Sequence, residues 1–108
     1  MKAIFINAKE RTVDYINNLG DLSAMYDTIG CDMVQIANFN SNNGDTLWVD
    51  EEGLYKNYQY GFVYLGHQYV GNGVIYGSNI GGDNCSARGT LEEVIPELLF
   101  FRTEAEPA

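Results

Sequence analysis

With 108 residues, the chain has room for one domain and one modest core. Its 15 acidic against 6 basic residues give a net charge of -9, which disfavours binding nucleic acid by phosphate neutralisation and favours attraction to a basic protein surface. A hydrophobic fraction of 45% excludes wholesale disorder.

Lys2–Asn7 is short, apolar and β-branched, which predicts a buried first strand. Ala8-Lys9-Glu10 reads as a turn. Arg11–Ile16 alternates Val13 and Tyr15 with polar neighbours, so an N-terminal hairpin is expected. Asp21 is placed to cap a helix whose apolar residues Leu22, Met25, Tyr26 and Ile29 share one face, and Gly30 is placed to stop it. Met33–Ala37 reads as a strand and Asn38–Gly44 as a polar loop. Asp45–Val49 forms a strand with the only tryptophan, Trp48, and leads into Asp50, Glu51 and Glu52, a run of carboxylates closed by Gly53.

In the aromatic middle third, Tyr58, Tyr60, Phe62 and Tyr64 share one parity, so a strand there lines one face with rings. Eight tyrosines exceed the hydroxyl groups a small core can satisfy, which places some of them at the surface. Gly71-Asn72-Gly73 marks a sharp bend before a short strand at Val74-Ile75-Tyr76. Ser78–Gly89, rich in Gly, Asn and Asp, is long enough to be a candidate binding loop. Thr90 and Glu93 fit a capping box for a short helix near 90–95, which Pro96 ends or kinks. Leu98–Arg102 then reads as an edge strand, and residues 103–108 as a flexible acidic tail.

The chain therefore predicts a single α+β domain over residues 1–102. It should hold a mostly antiparallel sheet of about five or six strands, with the 21–29 helix packed on one face. An edge strand of that sheet is left available for self-association.

Little in the sequence points to catalysis. His67 is the only histidine, and there is no Cys-x-x-Cys or His-x-x-His pair, so neither a metal nor a cofactor is expected. Cys31 and His67 are formally a nucleophile and base, yet Cys31 follows the helix stop and reads as a buried thiol. Gly71-Asn72-Gly73 lacks the Lys and Ser/Thr of a phosphate loop. The first residues do not read as a secretory leader, and no apolar run approaches the roughly 18 residues of a membrane helix. A cytoplasmic protein with reduced thiols is expected.

Four segments occur in a telling order: the start MKAIFINAKERTV, then Ile29-Gly30-Cys31-Asp32-Met33-Val34, then Leu47-Trp48-Val49-Asp50-Glu51-Glu52-Gly53-Leu54, then Gly71-Asn72-Gly73-Val74-Ile75-Tyr76-Gly77. That succession resembles a family of small phage and mobile-element proteins, the domain of unknown function 3846, over roughly residues 1–80. The pairing of Trp-x-Asp-Glu-x-Gly with a later Gly-Asn-x-hydrophobic is its more specific part. The Tyr-rich segment and Pro96 depart from the family pattern. The resemblance implies a mobile-element setting and transfers no catalytic residues.

The leading expectation is a non-enzymatic, acidic inhibitor that blocks a host defence protein through a basic surface. Its contacts would come from Trp48, Asp50, Glu51, Glu52, Tyr58 and Tyr60. A second expectation is a homo-oligomeric sponge that sequesters a nucleotide immune signal, with Tyr69, Asn72, Tyr76 and Arg88 around the ligand. A third is a small hydrolase using Asp50–Glu52.

Overall fold

The computed structural model describes residues 1–53, 56 and 59–102. Strands β1 (Lys2–Asn7) and β2 (Thr12–Asn17) form the expected antiparallel hairpin, with Lys2 opposite Asn17 and Asn7 opposite Thr12. Helix α1 (Leu22–Ile29) opens at Asp21, whose carboxylate accepts the Ala24 N–H at 2.9 Å. It closes at Gly30, in the left-handed region at φ 83, with the Gly30 N–H donating to the Tyr26 carbonyl. Both ends thus satisfy orphan helix groups as the sequence spacing predicts.

Three further strands, β3 (Val34–Phe39), β4 (Asp45–Asp50) and β7 (Gly73–Ser78), complete the path of a larger sheet in the order β2-β1-β7-β4-β3. The two-residue β8 (Asn84–Cys85) pairs with the end of β7 and makes this sheet six-stranded. Every pairing is antiparallel. The Tyr-rich segment does not join it. Instead β5 (Tyr60–Tyr64) and β6 (His67–Val70) form a hairpin that pairs with β9 (Leu98–Arg102), making a separate three-stranded sheet in the order β6-β5-β9. The expected edge strand at Leu98–Arg102 is therefore present, on the second sheet.

Between the sheets, α2 (Leu91–Val94) is opened by the Thr90 hydroxyl, which accepts the Glu93 N–H at 3.3 Å. Pro96 sits in the first turn of the 3-10 helix Ile95–Glu97 that follows, where its missing N–H costs nothing.

Strand alternation gives the larger sheet two covered faces. On one, Ile4, Ile6, Leu47, Val49 and Ile75 pack against Phe62 and Tyr64 of the small sheet and Val94 of α2. On the other, Ala3, Val74 and Tyr76 pack against Met25 and Ile29 of α1, joined by Cys31, with Trp48 and Val34 at the margin. Gly73 lets the two sheets close, because an added Cβ would lie 2.8 Å from the Phe62 ring. The 78–89 segment is held rather than loose. Its tip turns tightly, with the Asn79 N–H donating to the Asp83 carbonyl at 3.0 Å and the Asp83 N–H returning to Asn79 Oδ1.

Candidate functional site

The α1 side of the larger sheet carries exposed apolar side chains close to acidic ones. On β4, Trp48 lies opposite Ile36 of β3, and Thr46 lies opposite Phe39. Trp48 also lines a hollow of about 310 Å³ with Asp21, Leu22 and Met25 of the α1 start and Asp83 of the 79–83 turn. Leu22, Ile36 and Phe39 are 54%, 57% and 61% exposed, and Ile80 in the 79–83 turn is fully exposed. Asp21 and Asp83 are exposed beside them. The Trp48 indole N–H is itself buried without a partner among the described residues, so it offers the ring, not its donor, to the surface.

The acidic run at the end of β4 is split by strand parity. Asp50 belongs to the strand, points inward and is only 3% exposed, which corrects its expected role as a surface contact for a partner. Its Oδ2 lies 2.8 Å from Lys56 Nζ, and its Oδ1 accepts the Glu52 N–H at 2.9 Å. The hydrogen bond from Lys56 Nζ to Asp50 pushes the Lys56 pKa up. Burial, and then the Asp50 charge, push the Cys31 thiol up, the wrong direction for an activated nucleophile. Glu51 and Glu52 do face solvent.

The other expected contact residues do not gather around Trp48. Tyr60 is half-buried against the core between the two sheets, on the far side of the larger sheet from the tryptophan. Tyr58 lies outside the described residues.

The four residues expected around a nucleotide are committed elsewhere. Tyr76 is fully buried, and its hydroxyl donates to Asn18 Oδ1 at 2.6 Å, so it has no free face for stacking. Tyr69 sits on the opposite side of the sheet, 5.4 Å from the Phe62 ring, and its hydroxyl donates to the Ala37 carbonyl at 3.2 Å. Burial raises the pKa of Tyr64, Tyr69 and Tyr76. Asn72 Oδ1 accepts the Ala8 N–H at 2.8 Å and pins the first hairpin turn. Arg88 donates through Nη2 to the Ser78 carbonyl at 2.7 Å.

Sequence reasoning missed Asp45. Its carboxylate is 3% exposed and accepts the Arg88 N–H at 2.9 Å and the Gly89 N–H at 2.8 Å, tying the end of the 78–89 segment to β4. An aspartate inside a strand is unfavourable unless it has such partners, and that was the available signal. Phe39 was missed because β3 runs two residues beyond its expected end at Ala37, and Ile36, inside the expected strand, because alternation alone does not say which face of an edge strand stays uncovered.

Among the described residues, no group of three or more His, Cys, Asp or Glu could hold a metal ion. No helix among them is long and apolar enough to cross a membrane.

The family model described as Domain of unknown function (DUF3846) matches residues 1–97, and the chain belongs to that family. The match runs past the expected limit near residue 80 to include the 78–89 segment and α2. No curated protein and no solved structure matches the chain.

Proposed function

We propose that this member of the DUF3846 family is a non-catalytic binding protein that engages a basic, partly apolar protein surface with the α1 side of its larger sheet. One observation carries the reading: Leu22 in the wall of the Trp48 hollow, Ile36 opposite Trp48 and Phe39 opposite Thr46 are each more than half exposed, and Asp21 and Asp83 line the same hollow. Exposed apolar side chains grouped on one face mark interaction sites, and neighbouring carboxylates steer a basic partner onto them. The net charge of -9 extends that steering to longer range.

In the phage or mobile-element setting we propose for the chain, the partner is a host defence protein whose basic site is blocked in the cytoplasm. The nucleotide-sponge alternative draws no support from Tyr69, Asn72, Tyr76 and Arg88, each bonded within the fold.

Affinity capture from host cells followed by mass spectrometry tests the reading. A genuine partner is retained by the wild-type chain, released as salt rises from about 0.05 to 0.5 M, and lost with Phe39→Glu or with Asp21→Lys plus Asp83→Lys. Capture that ignores both salt and these variants would remove this face from consideration.

A further inference from the structure

The larger sheet ends at β3, and no described strand pairs with its outer edge. Open edges recruit other strands unless something blunts them. The opposite edge is blunted: β2 exposes Asp14, and the Tyr15 hydroxyl is held by the Leu91 N–H at the start of α2. Among the described residues, the β3 edge has no such device on its first half. Residues 33–44 carry no charge at all, in a chain whose net charge is -9.

The backbone pattern makes that edge self-complementary. Glu51 N–H donates to the Met33 carbonyl at 2.9 Å, and the register continues with Val34 opposite Asp50, Gln35 opposite Val49 and Ile36 opposite Trp48. Antiparallel alternation then turns the N–H and C=O of Met33 and Gln35 toward β4, and those of Val34 and Ile36 outward. Beyond Ile36 the pairing skips Ala37, whose carbonyl is taken by the Tyr69 hydroxyl. The bulge confines the open stretch to Val34 and Ile36, placed symmetrically about Gln35.

We propose that β3 is a homodimer interface: two copies pair their β3 strands antiparallel about a two-fold axis at Gln35 and fuse the larger sheets into one. Val34 of one protomer then faces Ile36 of its partner, and the outward backbone groups of both residues are satisfied in each copy. Charge selects this occupant. A basic strand from another protein would meet no carboxylate along residues 33–44. A second copy brings a neutral strand, and it can approach an acidic chain closely only along a strip free of acid. Pairing uses backbone groups, so the Trp48 hollows stay open, both on the same side of the joined sheet.

The inference is independent of the partner proposed above, and salt separates the two. Screening relieves repulsion between two acidic protomers, so the dimer tightens as salt rises, whereas capture of a basic partner weakens.

Light scattering and sedimentation of the purified chain, over a hundredfold range of concentration and at about 0.05 and 0.5 M salt, give the test. The wild type should shift from monomer to dimer with concentration, more readily at high salt. Ile36→Lys should weaken the dimer at least tenfold while leaving the circular dichroism spectrum unchanged. In a Cys85→Ser background, Gln35→Cys should cross-link under mild oxidation at least ten times faster than Tyr15→Cys, because Gln35 meets its own copy at a cross-strand distance of about 5 Å. A monomer at every concentration without Gln35→Cys cross-linking would overturn the proposal, as would a dimer indifferent to Ile36→Lys.

Discussion

Lys56 Nζ lies 2.8 Å from Asp50 Oδ2, with the carboxylate fully buried and the lysine side chain 37% exposed. The pair fixes residue 56 against the end of β4, and the same carboxylate caps the turn by taking the Glu52 N–H. Asp50→Ala removes both bonds and should destabilise the chain by about 2 kcal/mol. Glu51→Ala and Glu52→Ala should stay within about 0.5 kcal/mol of wild type. Urea melts of the three variants check the contrast, and equal losses would contradict the division of this acidic run.

Alkaline pH should unfold the protein. Lys56, Tyr64, Tyr69, Tyr76 and Cys31 all hold their protons more tightly when folded than when unfolded. The unfolded chain therefore releases these protons first as pH rises, which favours unfolding. Stability is full below the unfolded values, which begin at about 8.5 for the thiol and about 10 for the phenols, and falls as pH climbs through the raised folded values. Thermal midpoints that stay level between pH 8 and 11 would refute this.

Asp45→Ala should cost about 3 kcal/mol, since it strips a buried carboxylate from two backbone donors at Arg88 and Gly89. Amide exchange at those two residues should accelerate at least tenfold. Asp83→Ala, an exposed acid in the neighbouring turn, serves as the unaffected control.

Tyr76→Phe keeps the buried ring and deletes only the hydroxyl bonded to Asn18, so a loss of about 1 kcal/mol is expected in thermal or urea unfolding. A neutral result would show that the Asn18 contact adds nothing.

Trp48→Phe removes a buried indole donor that lacks a partner among the described residues. The relief offsets much of the lost ring volume, and a net change below about 1 kcal/mol is expected. As the only tryptophan, Trp48 should also shift its emission when a partner docks on the α1 side.

The parts of this fold written locally were legible in the chain. Asp21 and Gly30 announced both ends of α1, and Thr90 with Glu93 announced α2, because caps act over three or four residues. Alternation at Tyr60, Phe62 and Tyr64 showed that the rings share a side. It could not show that they belong to a second sheet, since periodicity is blind to which strand a strand will join. Asp50 was misplaced for a related reason. A run of three acids looks solvated until a lysine six residues later folds back onto one of them. Tyr76 looked available for stacking because nothing local reveals that α1, about fifty residues earlier, crosses over it.

The central strand β7 pairs with β1 on one side and β4 on the other, and joins the chain's first strand to one that follows more than forty residues later. On the ribosome, the first hairpin must therefore wait with its greasy flank uncovered until residue 78 has left the exit tunnel. Such long-range closure slows folding, and a nascent chain stalled before β7 would be the form most exposed to chaperones and proteases.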